Sequence, residues 1–236
     1  MSLHSFRLWE VAEMEPRYSR NVPALSEEEC ARLQTKQVVV IGCGGLGGHL
    51  IDQLARLGLG GIRAIDGDVF EESNLNRQLL CDLSQLGKSK ALAARDHIAR
   101  VNPAVRCDAV CTMLRADNAD DLLRGCDLVF DALDSIAARR VLAQAAAAIG
   151  VPVCYGAIRG WVAQAALYLP GEPLIDVLYP PDAQLTDKSA LAFTPALCAA
   201  LQVSLAVKHL CGRPVPSGTL YYVDLLHGEA ETLPLL

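Results

Sequence analysis

Val38-Val39-Val40-Ile41-Gly42-Cys43-Gly44-Gly45-Leu46-Gly47 is the stretch whose reading decides the fold. Four β-branched residues that stop at glycine predict a buried strand entering a tight turn, and Leu46, Leu50, Leu54 and Leu57 then recur at helical spacing. The order is strand, loop, helix. Glycines let the backbone turn sharply and bring its N–H groups against phosphate oxygens, while the helix beginning there adds the positive end of its dipole. Such a loop holds an anion.

A G-x-G-x-x-G loop alone suits a nicotinamide or flavin dinucleotide, with an acidic residue about 20 positions on, here Asp66, holding the ribose. Two features point elsewhere. Gly45 makes the loop G-x-G-G-x-G, and a polar block follows Asp66: Asp68, Asn74, Arg77 and Gln78, then Lys88 and Lys90. Fixed cations just past the second strand favour a nucleoside triphosphate.

The 236 residues suffice for one sizeable core, and no linker interrupts the strand-helix alternation. A net charge of −6 disfavours a nucleic-acid partner. Nine cysteines form no C-x-x-C pair, and an odd count without a leader segment predicts reduced thiols in the cytoplasm. Two long uncharged runs, Val141–Ile158 and Ser189–Val207, approach the length of a membrane span. Gly150-Val151-Pro152 and Thr194-Pro195 interrupt them, so both are read as buried elements and no membrane is expected.

Ahead of the first strand, Ser26-Glu27-Glu28-Glu29 predicts a capped short helix. Arg17-Tyr18-Ser19-Arg20 before it reads either as a solvated face or as an arm that reaches a partner subunit. Ile62–Asp66 is expected as the second strand, 88–101 as a helix burying Ala91, Ala94, Ile98 and Val101, and Val105–Val110 as the third strand. Ala116–Leu123 is expected as a helix and Leu128–Asp131 as a fourth strand, followed by a helix over Ile136–Ile149. Asp134-Ser135 reads either as that helix's N-cap or as a metal-phosphate ligand at the sheet edge. Val151–Ala157 and Val162–Tyr168 are further strands, and Pro170-Gly171-Glu172-Pro173 turns the chain into Leu174–Tyr179. A polar stretch, Pro180–Lys188, precedes a helix from about Pro195 to Leu210 and a hairpin of Leu220–Asp224 with Glu231–Leu235. Strands following one another without helices predict an antiparallel extension of a parallel sheet. The fold class is α/β, a Rossmann-like, mostly parallel sheet with helices on both faces and an antiparallel C-terminal extension.

Arg17-Tyr18-Ser19-Arg20, the glycine loop, Asp66-x-Asp68, Asn74-Leu75-Asn76-Arg77-Gln78, Gly87-x-x-Lys90, Asn102-Pro103, Asp131-x-x-Asp134 and Gly156–Gln164 occur in order and at workable spacing. In these pieces the chain resembles the bacterial ThiF/MoeB/HesA group, activating enzymes of ubiquitin-like sulfur carriers, over nearly their whole adenylation domain. The resemblance implies that Gly42, Gly44, Gly45 and Gly47 shape the nucleotide loop, with Asp66 on the ribose and Asp68 and Gln78 beside it. It implies that Asn74, Arg77 and Lys90 contact phosphates, that Asp134 positions magnesium, and that Arg20 reaches the neighbouring subunit's ATP in a homodimer. The implied reaction is attack of a carrier's C-terminal Gly-Gly carboxylate on the α-phosphorus of ATP, giving an acyl-adenylate and pyrophosphate. One domain then spans 1–236, with an arm at 1–36, a nucleotide-binding half at 37–157 and a carrier-binding half at 158–236.

Three departures qualify the likeness. Relatives with structural zinc carry paired cysteines where this chain has Leu174-Ile175-Asp176-Val177, so no zinc site is expected. The loop 170–195 has no cysteine for a thioester. Ser135 stands where asparagine is common and also occurs in the tRNA threonylcarbamoyladenosine dehydratases, which supply the alternative function. The Gly156–Gln164 stretch looks more like the ThiF branch, whose carriers serve thiamine biosynthesis.

Overall fold

Val38, Val39, Val40 and Ile41 are all buried, as an unbroken apolar run must be inside a parallel sheet covered on both faces. The structure, a computed structural model, describes residues 15–184 and 186–236. Its elements in chain order are α1 (Glu27–Leu33), β1 (Gln37–Ile41), α2 (Gly45–Leu57), β2 (Gly61–Ile65), α3 (Lys90–Val101), β3 (Arg106–Val110), α4 (Ala119–Leu123) and β4 (Leu128–Asp131). There follow α5 (Ile136–Ile149), β5 (Val153–Arg159), β6 (Val162–Tyr168), α6 (Leu174–Leu178), α7 (Phe193–Cys211), β7 (Thr219–Asp224) and β8 (Glu229–Pro234). The strands form one sheet in the order β3-β2-β1-β4-β5-β6-β7-β8. Neighbours run parallel from β3 to β5 and antiparallel from β5 to β8, as the sequence predicts.

Alternate residues of a strand face opposite sides, and two cores result. Val38 and Val40 pack with Leu50, Leu54, Ile98 and Cys198, placing α2, α3 and α7 on one face. Val39 and Ile41 pack with Leu122, Leu142 and Ala146, placing α4 and α5 on the other. The first uncharged run divides into α5, a left-handed Gly150 cap and β5. Among the described residues α7 alone is long and apolar enough to cross a membrane, yet its Cys198, Ala199 and Ala206 are sealed in the core against α2, β5 and β6.

Four expectations change. The fourth helix starts at Ala119 because the Asn118 side chain accepts from Arg115 N and donates to Met113 O, folding 115–118 as a turn. The strands of the second half do not follow one another without helices: Leu174–Leu178 is a short helix that buries Leu174 and Ile175. Val101 is only partly buried. The described part of the arm is docked rather than free. Tyr18 is 2% exposed and packs on Gly58 at the C-terminal end of α2. Its hydroxyl accepts from Asn102 Nδ2 (2.8 Å), and Arg17 Nη1 donates to Asn102 Oδ1 (2.7 Å). Residues 1–14 lie outside the described residues.

Candidate functional site

β1 is followed in space by β2 on one side and β4 on the other, and the crevice above such a reversal of strand order is where open α/β sheets bind ligands. Ala132 N donates to Ile41 O (3.1 Å), and Gly42 N donates to Ile65 O (2.8 Å). The turns leaving all three strands therefore meet at one point. Gly42 has φ +95°, and a Cβ there would lie 2.8 Å from Ala132 O. At Gly47 a Cβ would lie 1.7 Å from Gly42 O. These two positions accept only glycine, because helix and turn touch through bare backbone.

α2 begins at Gly45 with no side chain capping it. Its first N–H groups have no partner within the helix and point toward the crevice with the positive end of the dipole. Asp66 ties the loop to β2, since its Oδ2 accepts from Cys43 N (2.7 Å) and its Oδ1 from Asp68 N (2.8 Å). Burial pushes the Asp66 carboxyl above the usual carboxylate range, against the pull of those two N–H groups and of Lys90. Each oxygen keeps a lone pair for a ribose hydroxyl.

The polar block closes over this loop. Asn74 is buried, and its Oδ1 accepts from Glu71 N (3.1 Å), so it first serves to hold the 3₁₀ turn Glu72–Asn74. That turn presents Arg77, whose stem lies against Gly45 and whose Nη1 donates to Ser73 O (3.0 Å) and Asn76 Oδ1 (2.7 Å). Gln78 is buried against Gly44 with its Oε1 lacking any partner. Lys90, only 8% exposed, opens α3 and reaches Asp68 Oδ2 at 3.3 Å. A nearly buried ammonium with one long contact to an exposed carboxylate has donors left over. An uncapped helix start and a spare buried ammonium together fit a nucleotide polyphosphate, and the orphaned Gln78 oxygen can accept only from a donor such as a hydroxyl or amine of the nucleoside.

Ser135, not Asp134, caps α5: its side chain accepts from Ala138 N (3.1 Å). The Asp134 side chain is 88% exposed at the same sheet edge, with Lys188 Nζ at 3.7 Å. Among the described residues no three His, Cys, Asp or Glu converge to hold a metal. One carboxylate completed by phosphate oxygens and water matches the way magnesium is bound with nucleotides, so Asp134 fits as that ion's protein ligand.

Arg20 stands apart from the other predicted residues. It is exposed beside Tyr18 at the far end of α2, and the 13 residues of that helix span about 20 Å. It cannot serve the site of its own chain. A cavity of about 250 Å³ opens at the opposite sheet edge among Arg63, Arg106 and Arg124. Arg63 there is engaged by Asp108 and the Leu122 carbonyl, Arg124 by Asp121, and Arg106 reaches only the Gly60 carbonyl at 3.5 Å.

Sequence reasoning missed Arg139, which is 3% exposed. It donates to Asp131 Oδ2 (2.7 Å), Leu133 O (2.5 Å) and Gly156 O (3.0 Å) and lies over Tyr155 at 4.8 Å. Burial alone would lower its pKa, and the Asp131 carboxylate more than reverses that, so the guanidinium stays charged. Tyr155 and Tyr179 share a hydroxyl contact of 2.7 Å. The network ties the Asp134 turn to β5 and to the root of the 180–190 loop. Its available signal was a pair of arginines on an alanine-rich helix eight residues after a strand-ending aspartate.

The ThiF family's sequence pattern matches residues 18–235. The sulfur carrier protein adenylyltransferase of Thermus thermophilus is 33% identical over 240 residues, covering 95% of this chain and 88% of that protein. The SAMP-activating enzyme E1 of Haloferax volcanii is 32% identical over 230 residues, 92% of this chain and 84% of that protein. The probable adenylyltransferase/sulfurtransferase MoeZ of Mycobacterium tuberculosis is 38% identical over 159 residues, 66% of this chain, and the match spans only 41% of MoeZ. The E. coli MccB structure with MccA-N7isoASN superposes with a TM-score of 0.81 at 20% identity, over 94% of this chain and 73% of that one. That likeness shows the fold. The glycine loop, the polar block and the Asp131–Asp134 turn all lie within the matched span, and the chain belongs to the ThiF family.

Proposed function

We propose that the protein is an ATP-dependent adenylyltransferase that activates the C-terminal carboxylate of a small ubiquitin-like sulfur carrier, ThiS-like or MoaD-like and ending in Gly-Gly. The observation that carries this reading is the meeting of Arg77, Lys90 and the uncapped start of α2 at one strand crevice, with Asp134 exposed beside them. Magnesium held by Asp134 would draw charge from the phosphates. Asp66 orients the ribose, the loop amides and Lys90 hold phosphate oxygens, and Arg77 faces the charge that grows on the departing pyrophosphate. No side chain need move a proton, since the nucleophile is already a carboxylate. Positioning and charge stabilisation supply the rate.

The unit is a homodimer in this reading, because Arg20 lies too far from its own crevice and is free only to complete another. Support comes from Leu79, Leu83, Leu86 and Leu92, all exposed on the segment that carries Arg77 and Lys90, an apolar surface that a second copy would cover. The protein works in the cytoplasm, and the Gly156–Gln164 stretch favours the thiamine-type branch. Cys198 does not carry the acyl group onward: it is wholly buried, donates to Gln164 O (3.2 Å), and is pushed up to about 12 by burial, far from a reactive thiolate. The tRNA-modifying alternative loses its support in Ser135, whose hydroxyl is engaged as a helix cap.

ATP–pyrophosphate exchange tests the assignment. Exchange that depends on a carrier ending in Gly-Gly supports it, exchange that depends on modified tRNA instead replaces it, and NAD binding tighter than ATP overturns it.

A further inference from the structure

We propose that Lys188 is an exchangeable cation of the adenylation site, held by Asp134 until magnesium arrives and then free to oppose the charge that develops on the departing pyrophosphate; this rests on the adenylyltransferase reading. The Asp134 carboxylate and the Lys188 ammonium lie 3.7 Å apart, with 88% and 71% of their side chains exposed. An open pair at that distance is weak and easily exchanged. A divalent ion on the same carboxylate would repel the ammonium as well as displace it.

The released lysine has little freedom to leave. Ser189 follows it directly, with its carbonyl accepting from Gly160 N (2.8 Å) and its own N–H donating to Asp187 Oδ1 (2.8 Å). Ala190 O accepts from Asn76 Nδ2 (3.2 Å), and Asn76 precedes Arg77. Gly160 is fixed in turn by Thr194 Oγ1, which donates to its carbonyl (2.7 Å). Lys188 is thus tethered within two residues of the wall that carries Arg77, on a flexible four-carbon stem. Nothing in the mechanism above uses it.

In the reaction, an oxygen of the carrier carboxylate forms a bond to the α-phosphorus as the bond from that phosphorus to the bridging oxygen breaks. Pyrophosphate leaves with the electron pair, and no proton is transferred. The leaving group gains charge, and a lysine already displaced from Asp134 opposes it together with Arg77. Lys188 therefore guards the metal ligand before the nucleotide binds and assists the leaving group afterwards.

The experiment compares wild type, Lys188→Ala and Lys188→Arg in two measurements. In ATP–pyrophosphate exchange at saturating magnesium, Lys188→Ala should turn over about tenfold more slowly, and Lys188→Arg should recover most of the loss. In calorimetric ATP binding titrated with magnesium, which needs no turnover, Lys188→Ala should reach half-saturation at a lower magnesium concentration than wild type, because the competitor is gone. Exchange at the wild-type rate, or an unchanged or raised magnesium requirement, overturns the proposal. Wild type that shows no exchange with any carrier defeats the functional reading instead, and the magnesium titration then still decides the role of Lys188.

Discussion

Two charged pairs sit at the C-terminal edge of the sheet, and they are built in opposite ways. Arg139 and Asp131 are sealed off, 2.7 Å apart, and the guanidinium also satisfies the carbonyls of Leu133 and Gly156. Lys90 is nearly as buried, yet its partner Asp68 is 3.3 Å away with a side chain 59% exposed. Burial is similar for the two cations; Arg139 engages both terminal nitrogens and leaves only Nε without a partner, whereas Lys90 makes one long contact. A buried charge whose partners all lie within the protein is part of the frame, whereas one left with donors facing a crevice is positioned for a ligand.

Breaking the sealed pair should have the largest effect. Arg139→Met would leave Asp131 buried without its cation and two carbonyls without a donor, and should cost about 3–5 kcal/mol of stability, read as a lowered Tm or urea midpoint. A second change, Asp131→Asn, should return part of that loss. A melting curve for Arg139→Met that overlays wild type would show that the pair is not part of the frame.

Lys90→Met keeps the packed stem and removes only the charge. It should lower exchange about 10- to 100-fold, the equivalent of a charged hydrogen bond of about 1.5–3 kcal/mol, with Tm nearly unchanged. If stability fell and activity did not, Lys90 would belong with Arg139.

A smaller contrast separates two adjacent residues. Ser135→Ala should remove the α5 cap and cost about 1 kcal/mol of stability, with only a mild effect on exchange. Asp134→Ala should leave the melting curve alone and damage exchange more. Equal, mild effects on exchange would deny Asp134 its place as the metal ligand.

The smallest effect lies far from the crevice, where Arg213 draws two contacts of 2.6 Å from Glu29. The Arg213 hydrogen bond, with the Ser26 N–H behind it, holds the Glu29 carboxyl down from the usual 4.5 to about 2. Because the folded pKa is depressed, the contribution is present above the unfolded value and is lost as pH falls toward the folded one. Glu29→Gln should flatten the decline in Tm between about pH 4.5 and pH 2. An acid limb identical to wild type would show that the pair adds nothing.

The strands and helices of the nucleotide half were legible because their signals are local. An apolar run stopping at Gly42 and leucines at helical spacing report their own burial, and the expected Ile136–Ile149 coincides with α5. The glycine loop was equally legible, since Gly42 and Gly47 are demanded by backbone contacts within a few residues of chain and with the neighbouring strand turn. Leu174–Leu178 was harder to read: five residues are too few to display a period, and their helical form follows from burying Leu174 and Ile175 beside α5.

By itself the sequence determined which residue types crowd the crevice, because cations, carboxylates and glycines keep their order along a strand-loop-helix chain whatever the packing. Only the tertiary structure decided their states. It buried Tyr18 against Gly58 and thereby removed Arg20 from its own site; it gave the α5 cap to Ser135 and left Asp134 to Lys188; and it enclosed Arg139 between Asp131, Tyr155 and Gly156. The physical reason is the same in each case. Whether a charge is engaged or available depends on the donors and acceptors that other strands and loops bring within about 3 Å, and most of those come from distant parts of the chain.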